Sequence, residues 1–128
     1  VEHFGMPEHD IRAGWRLLDA RAPERFAGAV EPIDPVAGHV PGAVNHPLTT
    51  NLDANGRFLS REELRKRYEA SQAGVSDDRT IAMCGSGVTA CHLLLAMEAA
   101  GKHGAKLYAG SWSEWIRDPS RETAVGTR

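Results

Sequence analysis

Apolar positions along the chain fall into short runs separated by stretches of helical spacing. "WRLLDAR" (residues 15–21) groups Trp15, Leu17 and Leu18 ahead of Asp19 and Arg21, the pattern of a buried strand whose carboxyl end is polar. "APERFAG" (22–28) follows as a short helix, and "EPIDPVAGHVPGAVNHP" (31–47), broken by prolines and glycines, reads as a loop leading into a short buried strand at Ala43 to Asn45. In "LSREELRKRYEASQAG" (59–74), Ser60 and Glu63 have capping-box spacing, Leu64 and Tyr68 share one face, and Gly74 ends the predicted helix. "RTIAMC" (79–84) is a second apolar strand of the same kind. Beyond a small-residue loop, Val88, Cys91, Leu94, Leu95 and Glu98 trace a helix that stops at Gly101. "AKLY" (105–108) is a further strand, and "GSWSEWIRD" (110–118) places Trp112, Trp115 and Ile116 on one helical face. The opening residues, "VEHFGMPEHDIRAG", read as the entry to a helix. Strands alternating with helices predict an α/β domain with a mainly parallel sheet and helices on both faces. In such sheets ligands sit beyond the carboxyl ends of the strands.

Composition narrows the partners rather than the fold. The chain has 128 residues, 41% of them hydrophobic and 25% charged, with a net charge of −2. That suits one soluble domain with a single core and argues against nucleic acid or an anionic membrane as a partner. No stretch approaches the ~20 apolar residues a spanning helix needs, and no export signal is visible, so a cytoplasmic location is expected. A start at Val1 rather than methionine leads us to expect an excised or processed piece of something longer.

The chemistry concentrates in "CGSGVTAC" (84–91), which holds both cysteines of the chain. Two cysteines do not make a disulfide framework, and the histidines lack the close spacing of metal ligands, so neither a metal nor a cofactor is expected. Cys84 stands at a strand end just before a helix, where free backbone N–H groups and the positive end of the helix dipole meet an anion. The thiolate is the nucleophilic form of cysteine, and this position favours an anion. Gly85 and Gly87 let the intervening amides curl inward into a cradle. Burial as a small apolar residue would also account for Cys84. Cys91, two helical turns on with Val88 and Leu95, is expected to be a core residue. A cysteine phosphatase would need an arginine six residues after the nucleophile to clamp phosphoryl oxygens, and Ala90 occupies that position.

Four segments, "LLDAR" (17–21), "GHVPGAVN" (38–45), "CGSGVTA" (84–90) and "AKLYAGSWSEW" (105–115), together resemble the rhodanese family of sulfurtransferases, in the family's order and over nearly the whole chain. More narrowly, the chain is similar to the catalytic, C-terminal half of the two-domain enzymes that act on thiosulfate or 3-mercaptopyruvate. The resemblance implies a single rhodanese domain over residues 1–128, with its core at about 8–118, and a central parallel sheet of five strands. It also implies a persulfide carried on Cys84, with small-molecule sulfur donors and acceptors such as cyanide or a thiol. Ser86 would serve as a second catalytic group, with Arg25, Gly85, Gly87, Val88 and Thr89 contacting substrate. Gly-Ser after the cysteine implies a preference for 3-mercaptopyruvate over thiosulfate. The enzymes it resembles carry an inactive N-terminal rhodanese domain against the active site, so such a partner domain is expected. A rhodanese module that binds a partner without turnover is the alternative. Asp19, Arg21 and His39 are expected to be structural, Trp112 and Trp115 to line the core and pocket wall, and the remaining histidines to be solvated or locally bonded.

Overall fold

A computed structural model of the chain describes residues 14–85 and 88–127, with the side chain of Val88 outside the description. The elements run β1 (Arg16–Asp19), α1 (Pro23–Ala27), β2 (Val44–Asn45), α2 (Arg61–Gln72), β3 (Thr80–Met83), α3 (Val88–Ala99), β4 (Lys106–Leu107) and α4 (Ser111–Trp115), with single 3-10 turns at Leu48–Asn51 and Asp77–Arg79. The strands form one parallel sheet in the order β2-β1-β3-β4. That is four strands among the described residues, where five were expected. The chain after β4 folds into α4 and turns instead of another strand, and residues 1–13, including the expected helix entry, lie outside the described residues.

The period-two alternation of the strands builds two cores. Leu17 pairs with Ile81 in register, and both point with Met83 to the face covered by Phe26, Val40, Tyr108, Trp112 and Trp115. Leu18 and Ala82 point to the other face, where Leu64 and Tyr68 of α2 and Leu93 and Met97 of α3 close over them. Helices thus cover both faces, as a parallel sheet requires to bury its strands. Helix α2 begins as its sequence predicts, with Ser60 Oγ accepting the Glu63 N–H at 3.3 Å, and it ends with Ala73 and Gly74 at φ +49° and +89°.

Helix α3 departs from its predicted face. Ala90, Leu93, Leu94, Met97 and Ala100 are buried, whereas Cys91 is exposed and Leu95 is 59% exposed. Cys91 is therefore a surface residue, not a core one. The helix is apolar almost all round, so spacing alone selects no face; contact with β3 and α2 does.

The order β2-β1-β3-β4 sets β1 beside β3, and the chain leaves these two neighbours toward opposite sides of the sheet. At such a switch point the loops after the strands part and leave a crevice at their carboxyl ends. The turn after β1 and the loop after β3 meet there.

Candidate active site

Cys84 follows β3 directly, and three backbone groups of Cys84 and Gly85 are tied to the start of α4. The Cys84 N–H donates to Ser111 Oγ at 3.0 Å, and Cys84 and Gly85 carbonyls accept the N–H groups of Trp112 and Ser113, each at 3.0 Å. Ser111 Oγ in turn donates to the Tyr108 carbonyl at 2.8 Å. Ser111 is fully buried and has φ +53°, a left-handed conformation that side chains disfavour. It is held there by bonds on both sides of its hydroxyl. Cys84 is 2% exposed, and its sulfur accepts the N–H of Ala90, in the first turn of α3, at 3.3 Å. A helix N-terminus leaves such N–H groups without intrahelical partners, so they are available to an anion.

Arg25, on α1, reaches across from the β1 side. Its Nη2 lies 3.0 Å from Glu31 Oε2, and Nε donates to Glu31 Oε1 at 3.3 Å. A Cβ at Gly85 would sit 3.3 Å from both Nη1 and Nη2, so the guanidinium end rests over the residue after Cys84, and the absence of a side chain there makes room for it. Glu31 is itself fastened by the N–H groups of Ile33 (3.1 Å) and Asp34 (3.0 Å). Burial alone would raise its carboxyl, but these N–H groups and the Arg25 guanidinium outweigh burial and hold it below the ordinary carboxylate value. Asp34 accepts the Ser113 hydroxyl at 2.8 Å, which links the proline-rich loop to α4.

Beneath them, Arg21 grips Asp19 (Nη2 to Oδ2, 2.8 Å) and the Gly38 carbonyl (2.7 Å), and lies 4.9 Å from the Trp112 ring centroid. Both charges are buried, and this pair is structural as expected. His39 is structural too: it bonds the Phe26 carbonyl at 2.7 Å and stacks on the Phe26 ring at 3.8 Å. His46 is locally bonded, to Ser71 and Asn51, and fully buried. A cleft of about 380 Å³ opens beside this framework, lined by Arg21, Arg25, Leu48, Thr49 and Thr89 among others.

The fold thus brings together Cys84, Gly85, Arg25 and Thr89 of the expected site. Ser86, Gly87 and the side chain of Val88 lie outside the described residues. Sequence reasoning missed Glu31, Asp34, Ser111 and Ser113. The two acids sit in a punctuated loop without periodicity, and the serines lay within "GSWSEW", whose tryptophans carried the visible signal.

Comparison with known proteins gives the same region a family. A family model described as "Rhodanese-like domain" matches residues 7–118. A Pseudomonas aeruginosa protein named "Probable 3-mercaptopyruvate sulfurtransferase" is 58% identical over 113 residues, which are 88% of this chain and 40% of that protein. The Rattus norvegicus thiosulfate sulfurtransferase is 40% identical over 114 residues, 87% of this chain and 38% of that protein. Among solved structures, the Tum1 protein of Saccharomyces cerevisiae superposes with a TM-score of 0.76 at 28% identity, over 94% of this chain and 42% of that one. The chain spans about two-fifths of the length of these relatives.

Proposed function

The chain belongs to the rhodanese-like domain family, and from that premise we propose that it is a sulfurtransferase domain in which Cys84 carries sulfur as a persulfide. The observation that carries this reading is the sulfur of Cys84 at the head of α3, with the Ala90 N–H on it at 3.3 Å and the Arg25 guanidinium over the adjoining Gly85.

In the first half-reaction the Cys84 thiolate attacks the donor's outer sulfur. With 3-mercaptopyruvate an S–S bond forms, the C–S bond breaks, and the departing enolate takes one proton to become pyruvate, leaving Cys84 as S–SH. With thiosulfate the same attack breaks the donor's S–S bond and releases sulfite. In the second half-reaction a thiophilic acceptor, cyanide or a thiol, attacks the outer sulfur and returns the Cys84 thiolate. N–H groups fixed around the sulfur stabilise negative charge without having to reorient. Arg25, with Nε and Nη2 engaged by Glu31, turns its guanidinium end toward Gly85 as a cation that attracts a donor's carboxylate, which supports 3-mercaptopyruvate as the preferred donor. Ser86 is proposed as the hydroxyl that handles the enolate proton, and Gly85, Gly87, Val88 and Thr89 as the wall of the donor site.

Because the chain matches two-fifths of its relatives, we further propose that residues 1–128 act as the catalytic half of a tandem protein, with a second rhodanese domain completing the site. Intact-mass measurement after incubation with either donor tests the reading. A gain of one sulfur atom that disappears in Cys84→Ser supports it; no gain with either donor, with and without the preceding domain restored, overturns it.

A further inference from the structure

Five charged side chains form a continuous line from the end of β1 to the rim of the cleft: Asp19, Arg21, Glu31, Arg25 and Asp34. Arg21 holds Asp19 at 2.8 Å and approaches Glu31 at 3.5 Å, and Glu31 holds Arg25 at 3.0 Å. Three carboxylates meet two guanidinium groups, so one negative charge is left over. It falls on Asp34. Asp19 has the full fork of Arg21, and Glu31 has Arg25, Arg21 and two backbone N–H groups. Asp34 meets only Nη2 of Arg25, at 3.5 Å, a nitrogen already engaged with Glu31.

The position of that surplus charge matters more than its existence. The other oxygen of Asp34 accepts the Ser113 hydroxyl at 2.8 Å, and the Ser113 N–H holds the Gly85 carbonyl at 3.0 Å. The carboxylate therefore stands beside the guanidinium end that overlies Gly85, with its side chain only 11% exposed. Charges this far from bulk water are weakly screened.

We infer that Asp34 is a specificity-determining residue that sorts sulfur donors by charge, admitting monoanions and disfavouring dianions. The inference rests on the sulfurtransfer reading for its substrates. Arg25 attracts any anionic donor, while Asp34 opposes it in proportion to the donor's charge. 3-Mercaptopyruvate brings one carboxylate and thiosulfate brings two negative charges, so the repulsive energy on thiosulfate is about doubled and its effect on a rate constant roughly squared.

The test compares the rate of sulfur gain per unit donor concentration in the native chain, Asp34→Asn and Asp34→Ser. The amide oxygen of Asp34→Asn can still accept the Ser113 hydroxyl, and Asp34→Ser removes the charge with a shorter side chain. At low ionic strength the expected gain is about threefold with 3-mercaptopyruvate and about tenfold with thiosulfate, and ~0.5 M salt reduces it only in part, as weakly screened charges require. A thiosulfate-to-mercaptopyruvate ratio that stays constant in both Asp34 variants, while sulfur gain continues, overturns the inference and leaves the sulfurtransfer reading intact. Failure to load either donor, with and without the preceding domain restored, sinks the sulfurtransfer reading instead. The charge filter is then decided by NMR titration of Cys84→Ser, with and without Asp34→Asn, using sulfate and pyruvate. Removing the carboxylate should tighten sulfate more than pyruvate; equal changes refute it.

Discussion

The loop after β3 and the segment after β1 meet over one cleft, yet they are held by opposite means. Around Cys84 the bonds are without ion pairs and mostly backbone: Ala90 N–H to the sulfur, Cys84 N–H to the Ser111 hydroxyl oxygen, Trp112 and Ser113 N–H groups to the carbonyls of Cys84 and Gly85. Around Arg25 the ties are ionic and run between side chains, from Asp19 through Arg21 and Glu31 to Asp34. Neutral bonds in a buried, apolar setting hold a reactive atom still without biasing what approaches it. Partly buried charges act over several ångströms and do bias it. On the proposed reading, rigidity for the chemistry and selectivity for the donor are lodged on the segments that follow different strands.

Ser111→Ala strikes the neutral side hardest. It strips the acceptor from a buried Cys84 N–H, and the loss of such a partner costs about 1–3 kcal/mol. Denaturant melting should show that loss together with slowed sulfur gain for both donors alike; unchanged stability would mean the loop is held by its other bonds. Gly85→Ala tests the seam between the two sides. The new Cβ would press on Nη1 and Nη2 of Arg25 at 3.3 Å, so the guanidinium must shift. Donor KM should rise several-fold while kcat and melting temperature change little, and a fall in kcat alone would contradict the positioning of Arg25 over this residue.

The smallest effect is a pH dependence of stability that separates ionic from neutral support. Burial, with the Arg67 charge adding to it and the Asn51 hydrogen bond opposing, holds His46 below its ordinary value of 6.5. The unfolded chain then takes up that proton first, so stability is complete above pH 6.5 and declines as pH falls through and below it. Glu31 and Asp77 are held below their ordinary values of 4.5 and 3.8, so their contribution is lost only as pH falls below those values. Melting temperature followed from pH 8 downward should show two successive declines, and His46→Asn should flatten the first alone. A single decline confined to the carboxylate range would remove His46 from this account.

Much of the architecture was legible from local signals. Element order and the ends of α2 follow from Ser60, the Leu64–Tyr68 face and Gly74, because capping and periodicity act within a few residues. Cys84 at a strand–helix junction was equally visible. Cys91 was misjudged for the opposite reason: a helix apolar on every side carries no directional information, and its exposed face is chosen by what packs against it. Glu31 and Asp34 left no sequence signal because their partners are fixed by the path of the loop, not by spacing.

By itself, then, the sequence determined where most strands and helices of the described residues fall, that Cys84 stands at a strand end before a helix, and to which family the chain belongs, since each of these is written in contiguous segments. The tertiary structure decided that β1 and β3 lie side by side, that Arg25 reaches Gly85, and that Asp34 meets Ser113 across 79 positions of chain. Contacts that distant depend on the strand order of the sheet and on which loops its packing brings together, and no local preference of either residue encodes them.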